Sequence, residues 1–151
     1  MELNDFIIRL EGLNSAIRQA NVRNLMLAGA DAADMIIQRV QESGIDSEGN
    51  AYDDYSPQYK KFRDKNNKRT DIRNFTFGGD MMRSVDAQLE STDSGAVVVV
   101  GARGDDRDKM KYNVERDGPI IALTEEEKKQ ITEDVLERYR NDFARLLTGQ
   151  S

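Results

Sequence analysis

A chain of 151 residues has the size of one domain, 1–151, and its 22 Lys and Arg against 28 Asp and Glu set a formal charge of −6. With 38% hydrophobic and 33% charged residues there is apolar material for one modest core, patterned too regularly for a disordered chain. The absence of Cys excludes disulfides and thiolate chemistry, and the absence of His removes the commonest general base and metal ligand.

No run of about 18 apolar residues offers a membrane span. The acidic, amphipathic start MELNDFIIRLEG lacks the basic and apolar regions of a signal peptide. The expectation is an intracellular protein with no membrane contact, no cofactor and little equipment for catalysis.

Residues 3–43 read as helical. Leu3, Phe6, Ile7, Leu10, Leu13 and Ile17 form one stripe at steps of three and four. A second stripe runs from Val22 through Met26, Gly29, Ala33 and Ile36 to Val40, and the polar residues between 14 and 21 could bend or separate the two. Small residues from Ala28 to Ala33 would let another backbone approach closely, and Gly44 is placed to close the helix in the left-handed region.

From 45 to 77 the periodicity disappears, and the stretch reads as an arm or loop. Within it, Ser56-Pro57 signals an N-cap and first turn, so a short helix is expected over 57–64. Residues 65–71, nearly without apolar side chains, read as a mobile loop. Residues 80–84 could form one helical turn.

A hairpin comes next, with strands at 84–90 and 96–101, the second rich in Val, and a turn at 91–95. Residues 101–111 read as a polar loop and 112–116 as a short helix. Ile120–Leu123 reads as a short strand. Thr124 with Glu127 is a capping box that opens a helix over 124–147, with Gly149 closing it. Its apolar stripe comprises Ile131, Val135, Leu136, Tyr139, Phe143, Leu146 and Leu147. The implied fold is α+β, with N-terminal helices and a long C-terminal helix packed on a small, mainly antiparallel sheet, plus an extended basic arm.

Residues 60–73 carry seven cations (Lys60, Lys61, Arg63, Lys65, Lys68, Arg69, Arg73) and two carboxylates, a net +5 that leaves −11 on the rest of the chain. Such a basic segment on an acidic body suits a charged interface between neighbouring copies, or a phosphate contact. A solvated loop would look the same. Tyr52, Tyr55, Tyr59 and Phe62 interleave with these cations, as at binding interfaces, although Tyr55 and Phe62 fit equally well as packing against the helices.

Asp46–Asn50 superficially suggests a calcium loop, but Ala51 and Pro57 stand where that loop needs Gly and Glu, so it reads as a turn. Arg103-Gly104-Asp105 is too short to inform, and Gly78-Gly79-Asp80 lacks the Lys-Ser/Thr of a phosphate loop. The carboxylates Asp53-Asp54 and Asp105-Asp106-Asp108 leave a metal-dependent nuclease formally conceivable, without a second cluster of recognisable spacing.

Taken in order, Gly49–Tyr52, then Tyr55-Ser56-Pro57-Gln58-Tyr59-Lys60, Arg63, Phe77–Ser84, Glu115-Arg116 and Ile121–Glu126 resemble the tail-completion (virion-morphogenesis) proteins of tailed bacteriophages. The resemblance spans roughly 3–147 and rests on motif order and spacing. Gly78 stands where that family tends to have Thr, and the basic stretch before it is long.

The resemblance implies a non-enzymatic virion component of the neck or tail, assembled in the bacterial host cytoplasm. It implies a ring, hexameric or dodecameric, that contacts neck, connector or tail-tube proteins and meets DNA only as passing cargo. The expected interface joins Tyr52, Tyr55, Tyr59, Lys60, Lys61, Arg63, Lys68, Arg69 and Arg73 of one copy to an acidic flank of the next, Asp105, Asp106, Asp108 or Glu125. The alternative is a nucleic-acid-binding module that uses the basic arm 60–73.

Overall fold

The computed structural model describes residues 3–76, 78–92 and 95–148, with side chains from Glu11 onward. The side chains of Leu3, Phe6, Ile7 and Leu10, the motif residue Phe77 and the expected helix stop Gly149 lie outside the described residues.

The fold is α+β, with a long C-terminal helix. Helix α1, Leu3–Gln38, is one unbroken rod of about 54 Å, extended by a wider π-type turn at Arg39–Ser43. The bend expected within 14–21 does not occur. Asn and Ser cost a helix only tenths of a kcal/mol each, too little to interrupt it without proline. Gly44 ends the rod at φ 65°, its N–H donating to the carbonyls of Arg39 and Val40.

Strands β1, Val85–Thr92, and β2, Gly95–Ala102, pair antiparallel with Val85 opposite Ala102 and Leu89 opposite Val98. Both run further into the turn than expected. Their inner face carries Val85, Ala87, Val98 and Val100 toward α1. The approach is close at Gly29, where an added Cβ would lie 2.7 Å from the Ala87 Cβ and collide with Val98.

Helix α5, Glu125–Thr148, runs antiparallel along α1. Arg23 and Asn24 reach Asp142 at 2.6 and 2.9 Å, Asp31 meets Arg138 at 2.6 Å, and Arg39 meets Glu127 at 2.7 Å. The capping box forms, with Glu127 N–H donating to Thr124 Oγ1 and Thr124 N–H to the Glu127 carboxylate. In this register the described part of α5 lies against α1 as far as Arg23 and Asn24, and roughly residues 3–17 of α1, ~22 Å of helix, lie beyond that described part.

The core gathers Ala33, Ile36 and Val40 of α1 with Tyr52, Met82, Val85, Ala102, Met110 and Ile120. Helix α2 spans Pro57–Lys65, α3 Asp80–Arg83 and α4 Asp106–Asp117. Two expectations fail here. The polar loop of 101–111 is half helix, because α4 needs only Met110 and Val114, one turn apart, to hold its inner face. Ile120–Leu123 is no strand: Ile120 is fully buried, and the Arg39 guanidinium takes the carbonyl of Ala122 at 2.7 Å. A short apolar run cannot by itself distinguish a strand from a buried turn.

Candidate interaction surfaces

The stretch 45–76 is folded onto its own chain rather than extended as an arm. Asp46 starts it as a turn, its carboxylate accepting from the N–H groups of Glu48 and Asn50 at 2.8 and 2.9 Å. Tyr52 then enters the core, edge-on to Phe75 at 4.8 Å. Ser56 Oγ caps α2 by accepting from Tyr59 N–H, with Pro57 in the first turn.

Arg63 organises the segment from α2 to Thr76. It is 1% exposed, lies 4.3 Å over the Tyr55 ring, and donates to the Arg69 carbonyl at 2.7 Å and to Asn74 Oδ1 at 3.3 Å. Asn74 Oδ1 also accepts from Tyr55 Oη and from the Thr76 N–H. The expected mobile loop is therefore tied at several points. Asn67 turns the chain in the left-handed region at φ 52°, a conformation Asn tolerates. Arg69 grips Asp71 and reaches back to the carbonyls of Gln41 and Glu42 at the end of the α1 rod.

A cleft of about 890 Å³ opens between α2 with Arg73, Phe75 and residues 78–81 on one wall and α4 on the other. Tyr55, Tyr59 and Phe75 face Asp108, Lys109 and Tyr112 across it. Phe75 sits at φ 51°, a backbone conformation an aromatic residue rarely adopts. Arg73 runs under this wall to Asp117 at 2.7 Å, and Arg116 shares the same carboxylate at 2.6 Å.

Two of the residues expected at an interface are not on a surface. Tyr52 is buried, its hydroxyl without a partner among the described residues and its pKa pushed up to about 12 by burial. Arg63 is buried too, because its guanidinium satisfies carbonyls that the turn after α2 cannot pair itself. Burial likewise raises the Tyr55 phenol.

Arg69 and Arg73 are paired within the molecule, as is Lys60, with Asp54 at 2.9 Å. Lys61 is exposed and Lys68 half-buried. Tyr59, at 37% exposure, stacks on the more exposed Phe62 at 6.0 Å. Among the acids, Asp105 is exposed just before α4, Asp106 holds Lys109, Asp108 lines the cleft and Glu125 holds Lys128. Of the expected interface residues, Tyr55, Tyr59, Arg63 and Arg73 line one wall of this cleft and Asp108 the other.

What the sequence reading missed lies on α5 and the hairpin. No described residue of α5 is fully buried. Its expected single stripe is two faces. Ile131, Val135 and Leu146 share the side of Glu127, Arg138 and Asp142 that meets α1. Leu136, Phe143 and Leu147, spaced seven and four apart, lie roughly a third of a turn away and are 48%, 55% and 65% exposed. Val97 and Val99 are likewise exposed on the outer face of β2, away from α1. The spacing alone carried this signal.

Among the described residues, no helix is long and apolar enough to cross a membrane, and no three His, Cys, Asp or Glu side chains converge as metal ligands. Compared with protein-family models, curated proteins and solved structures, the chain matches none of them.

Proposed function

We propose that this chain is a structural component of a tailed-phage virion, a tail-completion or neck subunit that assembles as a ring at the head–tail junction or tail-tube end and enables head and tail to join. It turns over no substrate in this reading, and DNA is only passing cargo. The observation that carries it is the presence of two uncovered apolar faces on different elements. Leu136, Phe143 and Leu147 lie on α5, and Val97 and Val99 on the outer side of the hairpin. A ring built head to tail needs two unlike surfaces on each copy, and exposed apolar groups gathered on one face mark contact sites. The α1 segment beyond α5 adds a third element with room for a partner. Two of the motifs that carry the family resemblance, within 55–63 and 78–81, lie on one wall of the cleft.

The folded position of 45–76 changes the expected interface. The hypothesis now places the ring contacts on the exposed faces and the cleft rim rather than on buried Tyr52 and Arg63. Mixing the purified chain with tail-tube or connector protein, with light scattering and electron microscopy as readouts, tests this. Rings seated on the partner are expected. Virions that lack the chain by mass spectrometry would overturn the assignment.

The alternative, a nucleic-acid module at 60–73, predicts a salt slope of about −4 to −5 if five phosphates are neutralised. With Lys60 and Arg73 paired within the chain and Arg63 buried, the segment cannot neutralise five phosphates at once, and a gel shift at about 50 mM salt, where such contacts are strong, is expected to show no complex with duplex DNA.

A further inference from the structure

Arg63 also borders a second, smaller hollow of about 390 Å³, which Tyr55 does not line. Four cationic side chains reach it: Arg63 of α2, Lys68 and Arg69 of the turn, and Arg83 of α3. Gln41 of the π-type turn and Thr76 also line it, the Gln41 amide donating to Thr76 Oγ1 at 3.1 Å and that hydroxyl to the Asn74 carbonyl at 3.0 Å. Among the described residues, no Asp or Glu lines it.

A buried guanidinium ordinarily faces a carboxylate, because desolvating the charge is costly. Arg63 has none. Its nearest acceptors are a carbonyl and an amide oxygen, and among the described residues it forms no ion pair. Arg69 and Arg83 each also hold a carboxylate, Asp71 and Asp80, and Arg69 gives its remaining nitrogen to the carbonyls of Gln41 and Glu42, so Arg63 is a cation at this hollow that no described carboxylate offsets. Gly79, at φ 88°, lets the main chain form the remaining side where a side chain would be strained.

We infer that this hollow is a binding site for a tetrahedral phosphate dianion, either inorganic phosphate or the terminal phosphate of a small ester. Cationic donors arrive from several directions on α2, α3 and the intervening turn. That arrangement suits four oxygens around one centre better than the planar pair of a carboxylate, which one guanidinium fork would satisfy. The volume exceeds that of the ion alone and leaves room for its waters or for the start of an ester group. The site does not rest on the ring proposal: it uses neither α5 nor the outer face of the hairpin, although it shares Arg63, Gly78 and Gly79 with the cleft.

The test is titration of the full chain at constant ionic strength with sodium phosphate, thymidine 5′-monophosphate and thymidine, read by calorimetry and phosphorus NMR. Saturable millimolar or tighter binding of phosphate or the monophosphate, with thymidine silent, is expected. Arg83→Gln and Lys68→Gln should each weaken it about fivefold or more, since each removes a charge-assisted donor. Both side chains reach the surface, so the melting temperature without ligand serves as a check on folding. Lys61→Gln, outside the hollow, should leave affinity unchanged. Binding of neither phosphate, thymidine binding as tightly as its ester, or equal weakening by Lys61→Gln would overturn the assignment.

Discussion

The two ends of α1 are held in contrasting ways. Around its C-terminal half, residues 45–123 wrap a core in which Ile36, Val40, Met82 and Ile120 are essentially sealed from water. Toward its other end, α5 follows α1 only as far as Arg23 and Asn24, held there by the Asp142 carboxylate, while Leu136, Phe143 and Leu147 of α5 remain outside. One end is a finished fold. The other resembles half of an interface, and the difference locates where a partner can add stability.

The largest effect should come from breaking the finished end. Arg63→Ala removes the donor to the Arg69 carbonyl, one of three donors to Asn74 Oδ1 and the packing under the Tyr55 ring, at about 2–4 kcal/mol. Chemical denaturation measures this; a loss under 1 kcal/mol, well below the range for such buried groups, would mean the wrap does not depend on Arg63. Gly29→Val should cost about 1–3 kcal/mol by forcing α1 off the hairpin.

Acid should act on the other end. Hydrogen bonds from Asn24 and Arg23 hold the Asp142 carboxyl below its usual range. A carboxyl depressed in the folded state contributes stability above its unfolded pKa of about 3.9 and loses it as pH falls through the lower folded value. Thermal melts between about pH 5 and pH 2, which bracket that window, should therefore show loosening, and Asp142→Asn should flatten the dependence.

Tyr52→Phe should be neutral or stabilise by up to about 1 kcal/mol, since it removes a buried hydroxyl without a partner. The smallest effect on folding should come from Phe143→Ser, within about 0.5 kcal/mol as for other exposed sites. Its effect on assembly with tail or connector protein should be complete, and a variant that still assembles normally would place the α5 face outside the interface.

Much of this architecture could be read without coordinates. Ser56, Gly44 and the Thr124–Glu127 pair announce helix ends through local hydrogen bonds, and the Val-rich strand announces the hairpin by its alternation. These signals are local, so the order of residues suffices for them. Where a residue's role depends on a distant partner, the reading failed. Arg63 looks like a free cation until Tyr55, Arg69 and Asn74 fold around it, and Ile120–Leu123 looks like a strand until Arg39 takes its carbonyl. Leu136, Phe143 and Leu147 look like core because composition cannot say which side of a helix another helix will cover. The chain's own pattern determined its elements and their caps. Which charges are hidden and which apolar groups stay uncovered was decided only by packing, because burial depends on groups brought together from far along the chain.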